Sequence, residues 1–133
     1  MANPLAESAL VAARAADNFV PAYYKVCDRQ RHLMHQFYRE ISTLLWNGNP
    51  VPGRDCGEFF LKLPATDHII HTYDAQPVLD RGQILVTVNG TVKYGAHAQA
   101  QTKAFAQVFV LSPDVTSIQK GQYFIGSDHF RFT

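Results

Sequence analysis

Six histidines, two cysteines and a few carboxylates are the groups in this chain that could do chemistry. His32 and His35 are three apart in a helical stretch and could share a face. His68 and His71 are three apart in a strand-like stretch, so they point to opposite faces. No cysteine or carboxylate completes a zinc-like set at a recognisable spacing, and no metal is expected. Cys27 falls on an apolar helical stripe, which suits a buried thiol better than a nucleophile. No nucleophile elbow, phosphate loop or dinucleotide fingerprint is present. Asp17, Tyr23, Tyr38 and Asp128 could line a pocket in which a carboxyl of raised pKa moves a proton. Trp46, Phe59, Phe60, Phe130 and Phe132 are bulky enough to plug such a pocket. No catalytic residue and no cofactor is expected. The most informative charge is Arg131, set between Phe130 and Phe132 in sequence and on the opposite face from them. If its face meets a partner, the guanidinium is desolvated and needs a carboxylate.

The elements that must position Arg131 begin with an ordinary domain-sized chain. Its 133 residues fit a single domain spanning residues 1–133. Charged residues make up 17% of the chain, below the usual quarter, which suits a surface partly covered by another protein. The net charge is +1, without a basic stripe, so no direct nucleic-acid binding is expected. No apolar run of about 18 residues exists, so no membrane span is expected.

Asn3-Pro4 reads as a helix start. Ala9, Ala12, Ala13, Ala16, Phe19, Val20, Tyr23 and Cys27 follow at helical spacing, with Pro21 inside the pattern. A second helix is expected over residues 29–39 and a strand over residues 42–46. Asn47-Gly48-Asn49 signals a tight turn. Asp55 and Glu58 fit a capping box opening a third helix, which Pro64 stops. Four strand-like segments follow, at residues 68–78, 83–94, 102–111 and 123–132. The phase of the second survives across Asn89-Gly90, which predicts one long strand with a bend or bulge at Gly90. Helices first and strands after predict an α+β fold, with helices on one face of an antiparallel sheet.

A sheet with one wet face alternates apolar and polar residues. The last two strands do not. Phe105, Phe109 and Leu111 share one parity of the third segment; Ala104, Ala106, Val108 and Val110 share the other. In the last segment, Phe124, Phe130 and Phe132 are expected toward the helices. Tyr123, Ile125, His129 and Arg131, with Val108 and Val110, are expected on the opposite face against a second protein.

Several separated motifs agree with this layout and add a family. Phe19-Val20, Tyr23-Tyr24, Asp28, Arg31, Leu33 and Tyr38 resemble the nuclear transport factor 2 superfamily. So do Leu45-Trp46-Asn47-Gly48-Asn49, Asp74-Ala75-Gln76-Pro77 and Ser127-Asp128-His129-Phe130-Arg131-Phe132. Within it, the chain is most similar to the NTF2-related export proteins, small partners of the TAP-type mRNA export receptor. The resemblance implies a nuclear transport factor 2-like cone of three helices on a curved antiparallel sheet. It also implies a non-catalytic, heterodimeric role in mRNA export, with Arg131 paired to a receptor aspartate. Contact with phenylalanine–glycine nucleoporins would come through the heterodimer, which shuttles between nucleus and cytoplasm. The superfamily's other implied roles are a homodimeric carrier of Ran-GDP and a small-molecule pocket enzyme. The homodimeric carrier has Trp-Glu where this chain has Trp46-Asn47. It also has an acidic loop where this chain has residues 95–99.

Overall fold

A computed structural model of the chain describes residues 4–78, 82–95, 100–116 and 122–133. Helix α1 runs Pro4–Arg29, unbroken at Pro21. Its buried stripe is Ala12, Ala16, Val20, Tyr23, Tyr24 and Cys27, a helical spacing of threes and fours. Ala9 and Ala13, expected in that stripe, are exposed.

The expected second helix is a shorter 3-10 helix, Arg31–Phe37. Anchors at both ends explain this. On one side the Asp28 carboxylate holds His68 and the Arg31 guanidinium holds the carbonyls of Leu63 and Pro64. On the other side Tyr38 already belongs to strand β1, Tyr38–Trp46. A 3-10 helix rises about 2.0 Å per residue, against 1.5 Å for an α-helix, and so covers the gap in fewer residues. Asn47 and Gly48 turn the chain at positive φ, 47° and 87°, into β2, Asn49–Pro52. Helix α2, Cys56–Lys62, follows a short 3-10 turn at Gly53–Asp55. The expected capping box does not form. Asp55 makes no side-chain cap bond, and Glu58 pairs instead with Lys62 at 3.1 Å on the surface. The preceding turn already holds Asp55 in a helical conformation, φ −101° and ψ −4°, whereas a capping side chain needs an extended backbone.

Strands β3 (Thr66–Val78), β4 (Gln83–Tyr94), β5 (Thr102–Pro113) and β6 (Tyr123–Phe132) complete one sheet of order β2-β1-β6-β5-β4-β3. Neighbours are antiparallel except β1 and β6, which run parallel. No hairpin joins those two strands, so nothing local forces them to run oppositely. The predicted bend at Gly90 is a register break in its neighbour. Ile70 pairs with Gly90 and Thr72 with Asn89, leaving His71 as the extra residue on β3. At Gly90 a Cβ would collide with the Ile69 carbonyl oxygen, so only glycine admits this approach.

The helices cover one face of the curved sheet. Between them lie Phe105, Phe109, Leu111, Ile125 and Phe130, all fully buried. Trp46 stacks on Phe130 with ring centres 3.9 Å apart, and Phe105 stacks on Phe130 from its other neighbour strand. Among the described residues no helix is long and apolar enough to cross a membrane.

Candidate partner interface

Among the described residues no helix lies on the sheet's other face. Three cross-strand rows make it up. The central row is Leu45, His129, Val108, Thr87 and Asp74. One flanking row is Thr43, Ser127, Val110, Leu85 and Gln76. The other is Arg131, Ala106, Asn89 and Thr72. Val108 and Val110 are half-buried between their neighbours, whereas His129 and Arg131 are exposed. Across β4, β5 and β6 the only carboxylate is Asp128, and it is buried on the opposite side. Asp74 on β3 lies three strands from β6, about 14 Å at the usual strand spacing. Among the described residues Arg131 has no ion-pair partner.

Two expected members of this face lie elsewhere. Ile125 is fully buried in the core. Tyr123 packs beside Ala12 of α1 and Ile84 of β4, on the helix side. Phe124, expected inside, lies on the outer side, where the Arg39 guanidinium sits over its ring at 5.5 Å. The cause is a bulge. Val110 pairs with Ser127 and Leu111 with Ile125, so Gly126 is an extra residue on β6. One extra residue reverses every side chain before it. His129 and Arg131, after the bulge, keep the expected side.

Residues 15–132 match the model of the nuclear transport factor 2 (NTF2) domain. This chain belongs to the nuclear transport factor 2 family. It is 39% identical over 127 residues to NTF2-related export protein 1 of Bos taurus, covering 91% of this chain and 88% of that protein. It is 36% identical over 127 residues to NTF2-related export protein 2 of Homo sapiens, covering 91% and 87%. Among solved structures it resembles nuclear transport factor 2 of Cryptosporidium parvum, with TM-score 0.78, 24% identity, and 91% and 94% of the two chains covered. It also resembles a chain of the Candida albicans complex of Mtr2 with the Mex67 M domain, with TM-score 0.70, 16% identity, and 91% and 95% covered.

Inside the cone of this nuclear transport factor 2 domain, the polar groups around Asp128 satisfy one another. Asp128 accepts hydrogen bonds from Tyr38 Oη at 2.6 Å, Gln107 Nε2 at 2.8 Å and Tyr23 Oη at 3.3 Å. Gln107 Oε1 in turn accepts from Tyr24 Oη at 2.6 Å. Burial pushes the Asp128 carboxyl up to about 6, against the pull of its three donors. Burial, reinforced by the Asp128 charge, also holds Tyr23, Tyr24 and Tyr38 well above the usual phenol range. Of the four groups expected to line a reactive pocket, Tyr23, Tyr38 and Asp128 meet here. Asp17 does not; it accepts from Tyr73 Oη at 2.7 Å on the surface. The mouth of the cone holds a space of about 500 Å³ lined by Trp46, Leu63, Tyr94, Lys103 and Phe132, among others. Its lining carries no carboxylate or histidine among the described residues.

A second polar cluster was invisible at sequence level. Cys27, Asp28 and His68 bring a thiol, a carboxylate and an imidazole within 4.8 Å of one another. The ionised carboxylate can only accept, so Asp28 takes a hydrogen bond from His68 Nδ1 at 2.6 Å. It takes others from the His68 amide and the Thr66 hydroxyl, both at 2.9 Å. Burial pushes the Asp28 carboxyl up, but these bonds outweigh it and hold it below the ordinary value. Burial also pushes the Cys27 thiol up to about 11, which keeps it protonated. The cluster clasps the end of α1 to β3. Residues 96–99, in the loop compared with the acidic loop of the homodimeric carrier, lie outside the described residues.

Proposed function

We propose that this chain is a non-catalytic subunit of an mRNA nuclear export receptor. It pairs through the outer face of its sheet with the nuclear transport factor 2-like domain of a TAP-type large subunit. The observation that carries this reading is the charge arrangement of that face. Arg131 and His129 stand among Leu45, Ala106, Val108 and Val110, and β4, β5 and β6 present no carboxylate there. Covering such a face desolvates the guanidinium, which then requires an acid from the other side.

A second copy of this chain would bring the same cations to the middle of the contact, and the one acid in the rows of that face, Asp74, stands on β3 at the far edge of the sheet. That favours a different, acid-bearing partner over a homodimeric Ran-GDP carrier. The curated relatives bear the name NTF2-related export protein, and one structural neighbour is a Mtr2–Mex67 complex. Both support the export reading. In it, the heterodimer engages phenylalanine–glycine nucleoporins and shuttles between nucleus and cytoplasm, while this chain alone binds neither nucleic acid nor membrane and needs no cofactor. Val108, Val110, His129 and Arg131 form the contact.

Size-exclusion chromatography with and without the receptor's nuclear transport factor 2-like domain tests the proposal. A stable one-to-one complex is expected. A monodisperse monomer that ignores the receptor overturns it.

A further inference from the structure

On one side Arg131 pairs with Ala106 of β5; on the other, its two sequence neighbours are held by one residue of the β1–β2 turn. The Asn47 amide donates to the Phe130 carbonyl at 2.8 Å. The Asn47 side-chain Oδ1 accepts from the Phe132 amide at 2.8 Å. The parallel pairing of β1 with β6 ends at Trp46 and Phe130, so beyond that point β6 has no strand on this side. Asn47 takes over as a stand-in for the missing ladder. Both neighbours of Arg131 are bonded to it, and the guanidinium between them projects to the outer face.

We propose that Asn47 is a positioning residue for partner binding: it fixes the strand end on which Arg131 meets the partner's carboxylate. This rests on the reading of Arg131 given under the proposed function. The residue type fits the task. The turn needs φ of 47° at this position, a region that asparagine tolerates better than most residues. The side chain must also offer an acceptor within reach of the next strand's amide. Glycine would satisfy the first need alone. Aspartate would satisfy both.

A double-mutant cycle in calorimetry with the receptor's nuclear transport factor 2-like domain tests this. Asn47→Gly keeps the turn and removes the acceptor. It is expected to weaken binding about tenfold in the otherwise unaltered chain, as for one lost hydrogen bond, and less than twofold beside Arg131→Ala. Asn47→Asp is expected to bind within about threefold of the unaltered chain, since it keeps the acceptor. Circular dichroism confirms that each variant is folded before titration; if Asn47→Gly is not, Asn47→Ser, with a shorter side chain, takes its place. Equal weakening by the turn variant with and without Arg131 overturns the positioning role while leaving the functional reading intact. No binding by the unaltered chain overturns the functional reading itself.

Discussion

Tyr38 donates a 2.6 Å hydrogen bond to Asp128, tying the first residue of β1 to the inward side of β6, one residue before the outward-facing His129. The strand that carries His129 and Arg131 on its outer face is thus anchored through its other face. Gln107 of β5 and Tyr23 of α1 complete that anchor. Helix, sheet and candidate interface therefore share one buried carboxyl, and its ionisation is felt by the whole fold.

Asp128 should give the protein an inverted pH dependence. Its folded-state value of about 6 lies above the ordinary aspartate value of about 3.9. The folded state then binds the proton more tightly than the unfolded one. The stabilisation is complete below about pH 4 and is lost as pH rises through 6, on the order of 3 kcal/mol in all. Asp128→Asn should remove this component. Urea unfolding of both proteins between pH 4 and 7 reads the difference in slope. Parallel slopes would refute it.

Ile125→Ala and Val108→Ala should separate core from interface. Ile125 is fully buried, and its truncation should lower the unfolding free energy by about 2–5 kcal/mol while the folded fraction still binds the receptor domain normally. Val108→Ala should cost about 1 kcal/mol or less in stability, because its side chain faces outward, yet weaken the complex. Denaturation and calorimetry on the same samples decide. The reverse pattern would return Ile125 to the partner face.

Arg131→Ala should weaken the heterodimer by about 2–5 kcal/mol, since it strands a desolvated carboxylate on the partner. The melting temperature of the isolated chain should barely move, because Arg131 is exposed. An unchanged affinity would show that the guanidinium stays in water in the complex.

Gly90→Ala should destabilise by about 1–3 kcal/mol or more, as overpacking does. The added methyl meets the Ile69 backbone oxygen, which cannot swing away as a flexible side chain can. Thermal melts of the two proteins measure this directly; an unaltered melting point would mean that β3 slides past the obstruction.

By itself the amino-acid sequence determined what local rules reach. The alternation from residue 83 to 94 marked a strand whose ends match β4. The largely apolar parities of Phe105, Gln107, Phe109 and Leu111 and of Ala104, Ala106, Val108 and Val110 declared a strand with both faces to cover. Arg131 stood out because a charge between two phenylalanines points away from them, and motif spacing implied the family. Tertiary structure decided the rest. Parity counting assumes one residue per pleat, and the extra Gly126 reverses the count for Phe124 and Ile125. Only the pairing with β5 shows where the extra residue sits. The parallel join of β1 to β6 and the clasp of Asn47 on Phe132 link residues about 80 positions apart, beyond any local period. So the sequence singled out the charge on the outer face, and the fold decided which neighbours stand beside it and what holds it there.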